Sequence, residues 1–143
     1  MNRLNPISVL IADDDAFIRQ GLQMILGRMP NIHVVGQAKD GLEAVKQALD
    51  QKPDVILMDL EMPHMNGLDA AQKIHHKNSS IKIIMFSSLE KSEYIQKARQ
   101  VGVSDYLMKG ATPQEIIEAI HTVAPETEPT PVFSLSITDK YKL

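Results

Sequence analysis

The chain has 143 residues, a net charge of −3 and no cysteine. The length suits one domain with a sizeable core. Mild acidity gives no reason to expect a chain that coats nucleic acid by itself, and the lack of thiols excludes disulfides, thiolate chemistry and Cys-based metal sites.

The first apolar run, Ile7–Ala12, is too short for a signal peptide, and acids follow it at once. No stretch approaches the length of a membrane span. A soluble cytoplasmic protein without membrane contact is expected.

ISVLIA, Ile7–Ala12, reads as a buried strand, with Asp13, Asp14 and Asp15 at its carboxyl end. Phe17, Ile18, Leu22, Ile25, Leu26 and Met29 then recur at helical spacing. One of the aspartates can cap that helix, and Pro30 and Asn31 end it. Ile32–Ala38 is a second strand. Leu42, Val45, Ala48 and Leu49 form a helical stripe closed by Pro53.

The next stretch, DVILMDLEMPHMNG, holds the residue around which the chain is organised. Four apolar residues, Val55 to Met58, run directly into Asp59. Such a run fits a strand buried on both faces. After the Asn66-Gly67 turn a helix turns Leu68, Ala71 and Ile74 inward. Ile81–Phe86 is the fourth strand, ending at Ser87 and Ser88. A polar helix over Glu90–Val101 has Tyr94, Ile95, Ala98 and Val101 as its inner positions, with Gly102 as its stop. Val103–Met108 contains the fifth strand, which ends at Lys109. Thr112-Pro113 opens a last helix with Ile116, Ile117 and Ile120 buried.

Five alternations of strand and helix predict a parallel sheet with helices on both faces. At Pro125 the composition shifts to PETEPTP, a linker by composition. Phe133, Leu135 and Ile137 alternate and fit an edge strand.

Asp13-Asp14, Asp59, Ser87 and Lys109 all follow carboxyl ends of strands. In a parallel sheet those ends share one edge, where ligands bind. Clustered carboxylates resist full ionisation, and a hard divalent cation relieves the repulsion. A carboxylate can attack phosphorus and form an acyl phosphate. A metal, a Lys ammonium and a Ser hydroxyl suit the oxygens of the transferring group. His64, His75 and His76 invite a metal reading, but His75 and His76 are adjacent on a helix and read as solvated. The methionines near the site edge read as core gap fillers.

The motifs LIADD, VILMDLEMPHMNGLDA, IIMFSS and YLMKG together resemble a response regulator receiver domain over roughly residues 6–124, and residues 1–124 are expected to form that domain. RQGLQMIL and KGATPQEIIEAI are similar to receivers of the NarL/FixJ type. The resemblance implies a flavodoxin-like, doubly wound, five-stranded parallel sheet of order 2-1-3-4-5, the order of a chemotaxis receiver. It implies Asp59 as phosphoacceptor and Mg²⁺, or Mn²⁺, as cofactor. Asp14 would ligate the metal directly, Asp13 through water, and Glu61 through its backbone carbonyl. Arg19 matches an Arg often found five residues after the second acid, which makes Asp13 and Asp14 the pair. Ser87 would hydrogen-bond a phosphoryl oxygen, and Lys109 would pair with the phosphoryl group. Ser87 and Tyr106 match the switch pair, Ser88 a position kept small, and Glu61 and Leu89 the positions flanking the hydrolytic water. The family often has Pro after the Lys; here Gly110 follows, which puts the loop geometry in question.

The implied protein is a two-component regulator and not an enzyme, although it promotes its own phosphorylation and dephosphorylation. Its partner would be a sensor histidine kinase, with homodimerisation on phosphorylation. It would control transcription, reaching DNA only through an output domain that these residues do not contain. Residues 125–143 would be linker or tail. Three alternatives stand beside it. A phosphatase of the haloacid dehalogenase kind wants a second Asp where Glu61 stands. An FMN-binding module wants a Ser/Thr/Gly-rich first loop where the acids stand. A phosphorylation-independent binding module has no need of the complete acid, Ser and Lys set.

Overall fold

The computed structural model describes residues 5–125. Five strands and five helices alternate: β1 (Ile7–Ala12), α1 (Ala16–Gly27), β2 (Ile32–Ala38), α2 (Gly41–Gln51), β3 (Val55–Met58), α3 (Gly67–Lys77), β4 (Lys82–Ser87), α4 (Ser92–Gln100), β5 (Asp105–Met108) and α5 (Pro113–Val123). The strands form one sheet in the order β2-β1-β3-β4-β5, and every pairing is parallel. The expected flavodoxin-like order is therefore the observed one.

The sheet is covered on both faces, so its inner strands carry apolar residues at successive positions. Leu10, Ala12, Ile56 and Met58 pack against α2, α3 and α4, whose facing residues include Ala44, Ala48, Ala70, Ala71, Ile74, Ile95 and Ala98. Val9, Ile11, Val55 and Leu57 pack against α1 and α5 through Leu22, Leu26, Ile116 and Ile120. Each large aliphatic side chain buried in this way contributes about 1.5–3 kcal/mol.

Four of the five helices begin at a side-chain cap. Asp15, Asp40, Asn66 and Thr112 cap α1, α2, α3 and α5 by accepting backbone N–H bonds. Thr112 and Glu115 complete a reciprocal capping box with Pro113 in the first turn, the arrangement that satisfies orphan donors at a helix start.

Some inward positions differ from the sequence expectation. Phe17 is 84% exposed and Leu42 54% exposed. In α1 the buried positions are Leu22 and Leu26, and α2 turns Gly41, Ala44 and Ala48 inward. At Gly41 the loop before α3 leaves no room for a side chain: a Cβ there would stand 2.0 Å from the Met65 carbonyl oxygen. Tyr94, Val101 and Ile117 are half-buried rather than buried. His75 is half-buried too, not solvated, because its ring lies against Gly102; there φ is +100° and an added Cβ would meet the imidazole at 2.5 Å. The expected tail strand Phe133–Ile137 and nearly all of the 125–143 linker lie outside the described residues.

Candidate functional site

Main-chain hydrogen bonds one residue beyond three of the four strand pairings set the site. Asp13 N donates to the Ala38 carbonyl at 3.0 Å, Asp59 N to Ala12 at 2.8 Å, and Lys109 N to Ser87 at 2.9 Å. The sheet thus extends just far enough to hold Asp13, Asp59, Ser87 and Lys109 at one edge. Asp59 is 5% exposed, Asp13 1% and Ser87 1%. Asp14, in the loop between β1 and α1, is exposed.

Lys109 links the two buried carboxylates. Its Nζ lies 2.8 Å from Asp13 Oδ2 and 3.1 Å from Asp59 Oδ1. Burial by itself would lower the Lys109 pKa, but the Asp13 and Asp59 carboxylates more than offset this and hold it above its usual value. One ammonium does not neutralise three carboxylates. Burial first, then the Asp13 charge, push the Asp59 carboxyl up to about 6. Asp13, Asp14 and Asp59 each present a carboxylate oxygen, all within 4.8 Å of one another. This donor set fits a hard cation that keeps several waters. Among the described residues no other group of three acids or histidines converges in this way. His64 instead places Nδ1 3.0 Å from Asp40 Oδ2 and ties the loop before α3 to the start of α2.

The remaining residues expected at the site surround this centre. Asp15 N donates to Asp13 Oδ1 at 2.9 Å. Arg19 Nη1 donates to the Asp13 carbonyl at 2.7 Å, so Arg19 holds the main chain of the acid pair. Glu61 is exposed and, with Asp14, Asn66, Leu89 and Tyr94, lines a cavity of about 520 Å³ beside the acids. Ser88 is exposed. Tyr106 is fully buried, and its hydroxyl donates to the Leu89 carbonyl at 2.5 Å. Leu89 N donates to Ser87 Oγ at 3.0 Å. The loop through Gly110 has no cis peptide and still delivers Lys109 to the acids. Gly67 lies where Asp59 needs room: a Cβ there would stand 2.0 Å from the Asp59 carbonyl oxygen.

Two polar contacts were not foreseen from the sequence. Asp40, which caps α2 and meets His64, is not singled out from the sequence, though its place one before Gly41 and three before Glu43 is a capping signal. The contact of Arg19 Nε with Gln37 Oε1 has no local sequence signal.

Comparison with known proteins gives a consistent result. Residues 9–121 match the family model described as "Response regulator receiver domain". The chain is 35% identical over 124 residues to the nitrate/nitrite response regulator protein NarL of Escherichia coli strain K12, covering 87% of this chain and 57% of that protein. It is 41% identical over 117 residues to the response regulator UvrY of the same strain, covering 82% of this chain and 54% of that one. The chain thus spans little more than half the length of these relatives. The crystal structure of the response regulator domain of Thermotoga maritima CheB superposes with a TM-score of 0.77 at 39% identity, covering 82% of this chain and 95% of that one.

Proposed function

This chain belongs to the response regulator receiver family, and on that basis we propose that Asp59 accepts a phosphoryl group from a sensor histidine kinase or a small phosphodonor. The observation that carries the reading is the placement of a buried Asp59 carboxylate between two further aspartates and the Lys109 ammonium. In transfer from a phosphohistidine one Asp59 oxygen bonds to phosphorus while the phosphorus–nitrogen bond breaks, and the electron pair of that bond leaves on the imidazole nitrogen. From acetyl phosphate the bond that breaks is phosphorus–oxygen and acetate leaves. Lys109 stabilises the charge on the phosphoryl oxygens, and Ser87 donates its hydroxyl to one of them.

Asp14, Asp59 and the Glu61 carbonyl are the proposed direct ligands of Mg²⁺ or Mn²⁺, with Asp13 acting through water. Both Asp13 oxygens are already engaged, by Asp15 N–H and Lys109, which supports an indirect role. Bound there, the cation supplies charge neutralisation for the carboxylates and the phosphoryl oxygens.

The protein is read as a switch and not as a turnover enzyme. Phosphorylation would alter its surface, favour homodimerisation and control transcription through an output domain outside this chain. No described helix is long and apolar enough to cross a membrane; cytoplasmic location is part of the proposal. Residues 1–124 are read as the receiver and 125–143 as linker.

Incubation with acetyl phosphate and Mg²⁺ tests the reading. Intact mass should rise by one phosphoryl group in wild type and stay constant in Asp59→Asn. Equal labelling of the variant would refute the assignment.

A further inference from the structure

The outer strand changes register partway along. Val9 pairs with Val34, but Leu10 pairs with Gly36, so Val35 is an extra residue in β2. Side chains alternate faces along a strand. Ile32 and Val34 pack on the α1/α5 side. With unbroken alternation Gln37 would point to the opposite, α2 side. The extra residue reverses this. Gln37 pairs with Ile11, which belongs to the α1/α5 core, while Ala38 turns to the α2 core. Bulges near functional sites re-aim a side chain in this way.

Re-aimed, Gln37 meets Arg19. Its Oε1 accepts from Arg19 Nε at 3.2 Å, and its Nε2 donates to Gln23 Oε1 at 3.0 Å. The guanidinium is a rigid plane, so fixing Nε fixes the direction of Nη1. That Nη1 donates to the Asp13 carbonyl at 2.7 Å. We propose that Gln37 is a positioning residue of the acidic site, acting through Arg19 to fix the Asp13-Asp14 peptide and so the aim of both carboxylates. The proposal rests on the reading of Asp13, Asp14 and Asp59 as a cation site. A Gln that merely filled polar space between α1 and β2 would affect stability alone.

Calorimetric Mg²⁺ titrations of the full chain, without phosphodonor, separate the two. Gln37→Leu keeps the bulk and loses the acceptor. It should weaken Mg²⁺ binding about three- to tenfold, below the effect typical of residues bonded directly to a metal ligand. Gln37→Glu keeps an acceptor for Arg19 and should bind within about twofold of wild type. In an Arg19→Ala background, adding Gln37→Leu should change nothing further, because both act through one link. In the metal-free protein Gln37→Leu should also shift the ¹⁵N resonance of the Asp14 amide. Wild-type affinity in Gln37→Leu, or full additivity with Arg19→Ala, would overturn the inference. A wild type that binds no Mg²⁺ would overturn the cation-site reading and the inference with it. If Gln37→Leu does not fold, Gln23→Leu loosens the same chain from its far end, and an unmoved Asp14 resonance there overturns the proposal.

Discussion

Ser87 and Tyr106 hold opposite ends of one residue: Leu89 donates its N–H to Ser87 Oγ at 3.0 Å, and its carbonyl accepts from the Tyr106 hydroxyl at 2.5 Å. On the proposed function, a movement of Ser87 toward a phosphoryl group would pull on the Leu89 amide while Tyr106 resisted at the carbonyl. The loop between β4 and α4 is therefore clamped by the two residues proposed as the switch.

Tyr106→Phe should release one side of that clamp while keeping the ring in the core. The expected loss of stability is about 1 kcal/mol, the usual net value of one hydrogen bond. Hydrogen exchange at Leu89 should quicken more than at Ile83 in the sheet. Equal protection of Leu89 in both proteins would show that the tyrosine bond does not restrain the loop.

Gly67→Ala should cost about 1–3 kcal/mol, the usual cost of overpacking. A Cβ there would sit 2.0 Å from the Asp59 carbonyl oxygen, so the strand end that carries Asp59 must shift. Phosphorylation by acetyl phosphate should fall with it. Gly21 has nothing within 4 Å of an added Cβ and lies inside α1. Gly21→Ala should stabilise by up to about 1 kcal/mol through helix propensity. Urea melts of the two variants give the comparison, and equal effects would mean that the crowding at Gly67 is relieved without cost.

Stability in chelator should fall as pH rises through the Asp59 titration. The folded carboxyl is held up at about 6, against 3.8 for the free side chain. A raised carboxyl pKa favours the protonated form in the folded state. Its contribution is full below 3.8 and is lost as pH rises through 6. Asp59→Asn removes this dependence and should be more stable than wild type at pH 7–8 by on the order of 2 kcal/mol. The gap should close near pH 4 and narrow when Mg²⁺ is added. A variant equal to wild type at pH 8 in chelator would show that Asp59 is not under charge strain.

Leu89→Gln should speed loss of the phosphoryl group. Leu89 and Glu61 line the same cavity beside the acids, and an apolar side chain there shields the phosphorus without orienting water. An amide can hold water in line with the bond that breaks, for an expected gain of about three- to tenfold. Gln96→Ala, at an exposed position on α4, should leave the rate unchanged. Decay after donor removal, at constant Mg²⁺, measures both. Superimposable curves for Leu89→Gln and wild type would place the water's entry elsewhere.

Much of this protein was legible in its sequence because the relevant signals are local. Unbroken apolar runs such as Val55–Met58 mark strands buried on both faces, and a polar residue ending each run marks the active edge. Alternation with helical stripes then implied the parallel sheet, whose geometry brings Asp13, Asp14, Asp59, Ser87 and Lys109 together.

Other features depended on contacts between distant segments. Periodicity turned Phe17 and Leu42 inward, but the cover available to α1 and α2 left them exposed. His75 reads as solvated from its helix position, but Gly102, distant in sequence, lies against its ring. The bulge at Val35 has no composition signal, because it arises from how β2 pairs with β1. That pairing decides which face Gln37 takes, and hence whether Arg19 has a partner. Residue type and spacing thus determined which groups could do chemistry. Register between strands, which no single segment encodes, decided what holds those groups in place.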